Sequence, residues 1–127
     1  MIMITGGAFQ GKREYAKNSF GFSDDEILSG GSCEFEAAFA AKSVTEYHLL
    51  IKRLLENNTD VQDFSRRLCR ENPHAVIIIN EIGAGIIPLE KSERIWREET
   101  GRAGCIIAEN SREVIRLVCG IPVKIKG

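Results

Sequence analysis

Apolar runs near the ~18 residues needed to span a membrane are missing from this chain of 127 residues. The N-terminal MIMITGG is too short, and lacks a cleavage-site pattern, for a secretory signal, so a cytoplasmic protein is expected. An excess of either charge is missing too. Against 17 Lys+Arg stand 18 Asp+Glu, a formal net charge of -1, and no basic block interrupts the chain. A nucleic-acid or membrane surface therefore has no electrostatic support, and small molecules are the expected partners. Paired cysteines are absent: Cys33, Cys69, Cys105 and Cys119 are far apart and never form CxxC. Cys69 and Cys119 sit among apolar neighbours in sequence, which suits reduced thiols better than a zinc site or disulfide frame. No repeat or low-complexity tract is present.

What is there is enough apolar sequence, 43%, for one globular domain over residues 1–127. Ile2 to Thr5 form a short apolar run, Gly6-Gly7 follow, and KREYAKNSF reads as a helix, giving strand, glycine loop and helix in that order. Gly21 to Ser32 is rich in Gly, Ser and Asp and reads as a connection without a strand. Glu34 to Asn57 is helical in pattern, as one rod or as two helices meeting near Ser43, where SVTE has capping-box spacing. Val44, Tyr47, Ile51, Leu54 and Leu55 share a face there. TDVQ at Thr59 marks another helix start, and Val61, Phe64 and Leu68 line its apolar face before Asn72-Pro73 ends it.

AVIIIN, Ala75 to Asn80, is the continuous β-branched run of a strand covered on both faces, and so the expected sheet centre. Leu89 to about Ser111 reads as mostly helical, with Gly101 and Gly104 as points of break or bend. EVIRLVCGIPVKIKG reads as strand, Gly-Ile-Pro turn and strand. The whole predicts an α/β fold: a mostly parallel, P-loop-like sheet flanked by helices, with a C-terminal strand-turn-strand.

Gly6, Gly7, Ala8, Phe9, Gln10, Gly11 and Lys12 fit GxxxxGK, a spacing in which small residues turn backbone N–H groups inward around phosphate oxygens while the lysine reaches the outer phosphates. The dipole of the following helix adds favourable charge at the same place. The next position ordinarily supplies a hydroxyl to Mg²⁺, but here it is Arg13, a fixed cation and a donor only. Arg13 has two readings: it bonds a phosphate in place of the metal, or it is an ordinary helix residue facing solvent. Asn80-Glu81 ends the buried strand where open α/β sheets hold ligands. Glu81 is either a solvated loop residue or an acid near the phosphates, acting on Mg²⁺ through water or accepting a proton. The candidate set is thus Gly6 to Arg13 for nucleotide binding, with Lys12 and Glu81 catalytic and no metal ligand assigned.

TGGAFQGK, together with NEIGAGIIP, ERIWREETGR, the later AE and the closing VCGIPVKIK, resembles the bifunctional adenosylcobinamide kinase / adenosylcobinamide-phosphate guanylyltransferase family of cobalamin biosynthesis. Asn80, Glu81, Gly83, Gly85, Ile86 and Pro88 match its NE-G-GI-P signature. Arg94, Trp96-Arg97-Glu98, Gly101-Arg102, Ala108 and Lys126 extend the likeness. The resemblance implies a P-loop fold, ATP or GTP as phosphoryl donor, GTP as guanylyl donor, a corrinoid acceptor and a homo-oligomer. The chain also departs from the family. Members are usually longer, carrying after the second strand a helix with an RI--H--R motif whose histidine takes the GMP. Neither His48, in EYHLLIKR, nor His74, in NPHAVI, has that setting: His48 reads as a helix-face residue and His74 as a loop residue. The Asn-Gln pair that follows GR- in the family is replaced by Gly104-Cys105.

Three readings follow. The chain is a shortened cobinamide kinase that has lost guanylyl transfer, a non-catalytic nucleotide- or corrinoid-binding relative or partner subunit, or a general small-molecule kinase. The last leaves the later matches unexplained.

Overall fold

The computed structural model describes residues 1–82 and 90–127. The signature residues Gly83, Gly85, Ile86 and Pro88, and the start of the last helix at Leu89, lie outside the described residues. Six strands, β1 (Ile2–Gly6), β2 (Ile27–Ser29), β3 (Ser43–Thr45), β4 (Val76–Asn80), β5 (Glu113–Val118) and β6 (Ile121–Lys126), form one sheet in the order β2-β3-β4-β1-β5-β6. All described pairings are parallel except β5 with β6. Four helices flank it: α1 (Lys12–Phe20), α2 (Tyr47–Glu56), α3 (Val61–Glu71) and α4 (Lys91–Asn110).

The unbroken apolar runs of β1 and β4 follow from burial on both faces, since successive side chains of a strand point to opposite sides. Ile2, Ile4, Val76, Ile78, Ile115 and Leu117 pack on one side with Ala16 of α1. Met3, Ile77, Ile79 and Val114 pack on the other with the apolar faces of α2, α3 and α4. The expected face of α3 is the observed one: Val61, Phe64 and Leu68 are buried, and Asp60 caps the helix by accepting from the Asp63 N–H at 3.0 Å. β4 lies inside the sheet next to β1.

Three local expectations are corrected. The Gly21–Ser32 connection does contain a strand: Ile27–Ser29 pairs in parallel with Ser43–Thr45. The Glu34–Asn57 segment is not a continuous helix or a helix pair, but a short 3₁₀ helix (Phe35–Phe39), then β3, then α2. Ser43 therefore caps nothing. It is buried in β3, and its hydroxyl donates to the Val76 carbonyl at 2.9 Å, so a β-branched run beside a strand partner outweighs local capping spacing. Val44 belongs to that strand, while Tyr47, Ile51 and Leu54 form the buried face of α2. The C-terminal turn is also displaced. Cys119 and Gly120, at φ 51 and 77, make it, and Ile121 and Pro122 already pair with Val118 and Leu117. Two consecutive residues with positive φ suit a tight hairpin. Cys119 is accordingly exposed rather than set among apolar side chains, whereas Cys69 is buried.

Gly101 and Gly104 do not break α4, which runs unbroken for 20 residues. Each glycine in a helix interior is less favourable than alanine by about 1 kcal/mol. Close packing does not demand either one. A Cβ on Gly101 would meet nothing within 4 Å, and one on Gly104 only the flexible end of Met3 at 3.7 Å. Among the described residues no helix is long and apolar enough to cross a membrane.

Candidate active site

β1 delivers the chain to the carboxyl edge of the sheet at Gly6, whose φ of 148° and whose closeness to β5 both exclude a side chain: an added Cβ would lie 2.6 Å from the Leu117 carbonyl oxygen. The loop then passes through Phe9, fully exposed and at φ 60, to Gly11, which at φ 82 sits at the N-cap of α1 and offers no side chain to cap it. The leading N–H groups of a helix have no intrahelical acceptors, so those of α1 are left facing the loop.

Lys12 opens α1 and is almost wholly buried. Its ammonium donates to the Gly7 carbonyl at 2.6 Å, laying the side chain back across the loop. Burial pushes its pKa below the ordinary lysine value, and the negative charge of Glu81 opposes that shift. Gln10 ties the loop to the C-terminal hairpin by accepting from the Cys119 N–H.

Glu81 reaches this region because its N–H donates to the Gly6 carbonyl at 2.8 Å, continuing the β1–β4 pairing past the strand ends. Its carboxylate is engaged on the far side: Arg116 of β5 donates to its two oxygens at 2.8 and 3.1 Å, in a partly exposed, two-pronged pair. Arg13 is directed elsewhere. Its guanidinium pairs with Asp24, from the segment that follows α1, at 2.9 Å, where Lys17 joins at 3.1 Å.

Sequence reasoning missed two neighbours. His48, expected on a helix face, lies in α2 on its buried face, with Nδ1 accepting from the Asn80 N–H at 3.2 Å and its carbonyl accepting from the Trp96 indole at 2.7 Å. Burial, with the Lys12 charge adding to it, pushes its pKa down to about 4, so the ring is neutral at pH 7. The only signal in sequence was a histidine on the apolar side of an amphipathic helix. Arg116 was invisible as a partner of Glu81 because 35 residues separate them. His74 is exposed in the turn before β4, at the opposite edge of the sheet from the loop.

The site therefore combines a glycine-containing loop after β1, a lysine at the start of α1 and a carboxylate just past the end of β4. The family model for cobinamide kinase / cobinamide phosphate guanyltransferase matches residues 39–125. The chain belongs to that family. Its matched part covers β3 to β6, including Glu81, and begins after the glycine loop. Two relatives are similar over shorter spans. The bifunctional adenosylcobalamin biosynthesis protein CobU of Escherichia coli is 35% identical over 69 residues, 54% of this chain and 38% of that protein. The protein of the same name from Salmonella typhimurium is 39% identical over 59 residues, 46% of this chain and 33% of its own length. The match thus spans little more than a third of these family members.

Proposed function

We propose that residues 1–127 form one nucleotide-binding domain that holds ATP or GTP on Gly6 to Lys12 and phosphorylates a cobinamide-type acceptor, the kinase half of the family's activities. The observation that carries this reading is that the Glu81–Gly6 backbone bond holds Glu81 beside the loop whose Gly7 carbonyl accepts from Lys12, near enough for the Glu81 charge to act on the lysine. In the reaction an acceptor hydroxyl attacks the terminal phosphorus and the bond to the bridging oxygen breaks. Lys12 and the loop amides stabilise the charge on the phosphoryl and leaving oxygens, and the Glu81 carboxylate accepts the hydroxyl proton. Arg13, bound to Asp24, takes no part in the phosphate contacts in this reading.

The protein's own donors do not fit a firmly held Mg²⁺. Arg13 stands where a hydroxyl would be, Arg116 occupies the Glu81 carboxylate, and no group of three or more His, Cys, Asp or Glu occurs among the described residues. No step is routed through the metal.

Guanylyl transfer is absent in this reading. Residues 30–42, which follow β2, hold one short 3₁₀ helix and no histidine; His48 is buried and His74 lies at the wrong edge of the sheet. Incubation with α-labelled GTP should leave no acid-labile protein-bound GMP, and stoichiometric label on His48 or His74 would refute the assignment. The Glu81–Arg116 pair favours a second reading, a non-catalytic nucleotide- or corrinoid-binding relative, because it neutralises the only assigned base. Calorimetric titration with ATP and GTP, with and without Mg²⁺, followed by phosphorylation of adenosylcobinamide, separates the two: binding without turnover selects the second. The homo-oligomer and cytoplasmic location implied by resemblance and composition complete the proposal, the former to be checked by light scattering.

A further inference from the structure

Near the loop, α4 and the sheet line an open-sided cavity of about 280 Å³. Met3, Thr5 and Ile79 form its floor, Gly101, Gly104 and Ala108 its roof, and Asn80 and Glu81 its mouth. Two observations set it apart from a packing gap. Its wall contains Thr100, only 4% exposed, whose hydroxyl is the one buried side-chain polar atom among the described residues without a hydrogen-bond partner. Such groups are normally satisfied, and leaving one bare is unfavourable. The second is the pair of α4 glycines. They weaken the helix, yet no neighbouring atom forbids a side chain at either position. What they provide is space.

We propose that this cavity is an acceptor-side subsite for a short aliphatic arm carrying a hydroxyl or amide, which bonds Thr100 Oγ1 and presents the reacting hydroxyl at the Glu81 mouth; the inference rests on the kinase reading above for the role of that mouth. The apolar floor and roof select the aliphatic part, and Thr100 selects one polar group within it. At about 280 Å³ the cavity has room for several water-sized groups. That accommodates an arm and excludes a macrocycle, which stays outside, over the α4 rim.

The test uses the full chain labelled with ¹³C at Met, Ile and Ala methyls, titrated with propan-1-ol, then cobinamide, then ATP. In the wild type, propan-1-ol should shift the Met3, Ile79 and Ala108 methyl signals saturably, and cobinamide should move the same signals. Gly104→Leu should abolish both responses. Gly104→Ala, which the structure accommodates, should melt at higher temperature yet bind the alcohol several-fold more weakly. Thr100→Val should also weaken it several-fold, and ATP affinity should stay within twofold in all three variants. Unmoved slot signals in the wild type, or a Gly104→Ala and Thr100→Val pair that binds both probes as the wild type does, would overturn the subsite. Slot signals that respond while ATP fails to bind would instead sink the nucleotide reading and leave the cavity as a small-molecule site.

Discussion

The Lys12 ammonium and the Gly7 carbonyl are joined at 2.6 Å, so the lysine rests on the backbone of the loop it would use to hold phosphate. Exchanging a neutral carbonyl for an anionic oxygen strengthens the contact, because it adds the attraction of an opposite full charge to a bond so far ionised on the donor side only. Lys12→Ala should lower ATP or GTP affinity about ten- to a hundred-fold, about 1.5–3 kcal/mol, by calorimetry. Unchanged affinity would make the loop a structural turn.

Arg13 and Arg116 together set the expectation for Mg²⁺. With Arg13 on Asp24 and Arg116 on Glu81, the protein offers the metal little, and chelation with EDTA should change wild-type nucleotide affinity less than about threefold, since one charge-assisted contact would be worth more than that. Arg13→Ser restores a hydroxyl beside the loop, and Arg116→Ala frees the carboxylate. The double variant should acquire clear Mg²⁺ dependence in the same titration. Because the Arg13–Asp24 pair is exposed, Arg13→Ser alone should alter stability by less than about 1 kcal/mol.

His48 makes stability fall in mild acid. Its folded pKa is about 4 against an ordinary 6.5, so between those values the unfolded chain binds the extra proton. Stability from this group is therefore full above pH 6.5 and lost as pH drops toward 4, by about 3 kcal/mol at most. Urea unfolding of wild type and His48→Gln across pH 4–7 should show a shallower acid slope in the variant. Parallel slopes would contradict the burial of a neutral ring.

Gly6→Ala should be poorly tolerated. The backbone conformation alone is strained for alanine by about 1–3 kcal/mol, and the Cβ would press on the Leu117 carbonyl, so β1 or β5 must shift as well. Gly101→Ala should do the reverse and stabilise by about 0.5–1 kcal/mol. Thermal melts of the two variants should move in opposite directions.

Much of this architecture could be read before the structure. Val76 to Ile79 announced a strand buried on both faces, the spacing of Val61, Phe64 and Leu68 announced α3, and the hairpin was visible within a residue or two. β2 and β3 were not, because three residues cannot display a period and their stability comes from neighbours in the sheet. At the site, the glycine spacing located the loop and Lys12. The hydrogen-bond partners of Glu81 and His48, by contrast, are Arg116 and Asn80, which only folding brings near.

The placement of β1 carries a consequence for how the protein is made. It emerges from the ribosome ahead of both its neighbours, which begin at Val76 and Glu113. At ordinary translation speeds of about 5–20 residues per second, β1 waits on the order of ten seconds for its second partner. Throughout that interval the nascent chain displays an apolar strand with a free edge, so chaperone demand should be concentrated on Met1 to Ile4, and that edge is covered only when β5 arrives.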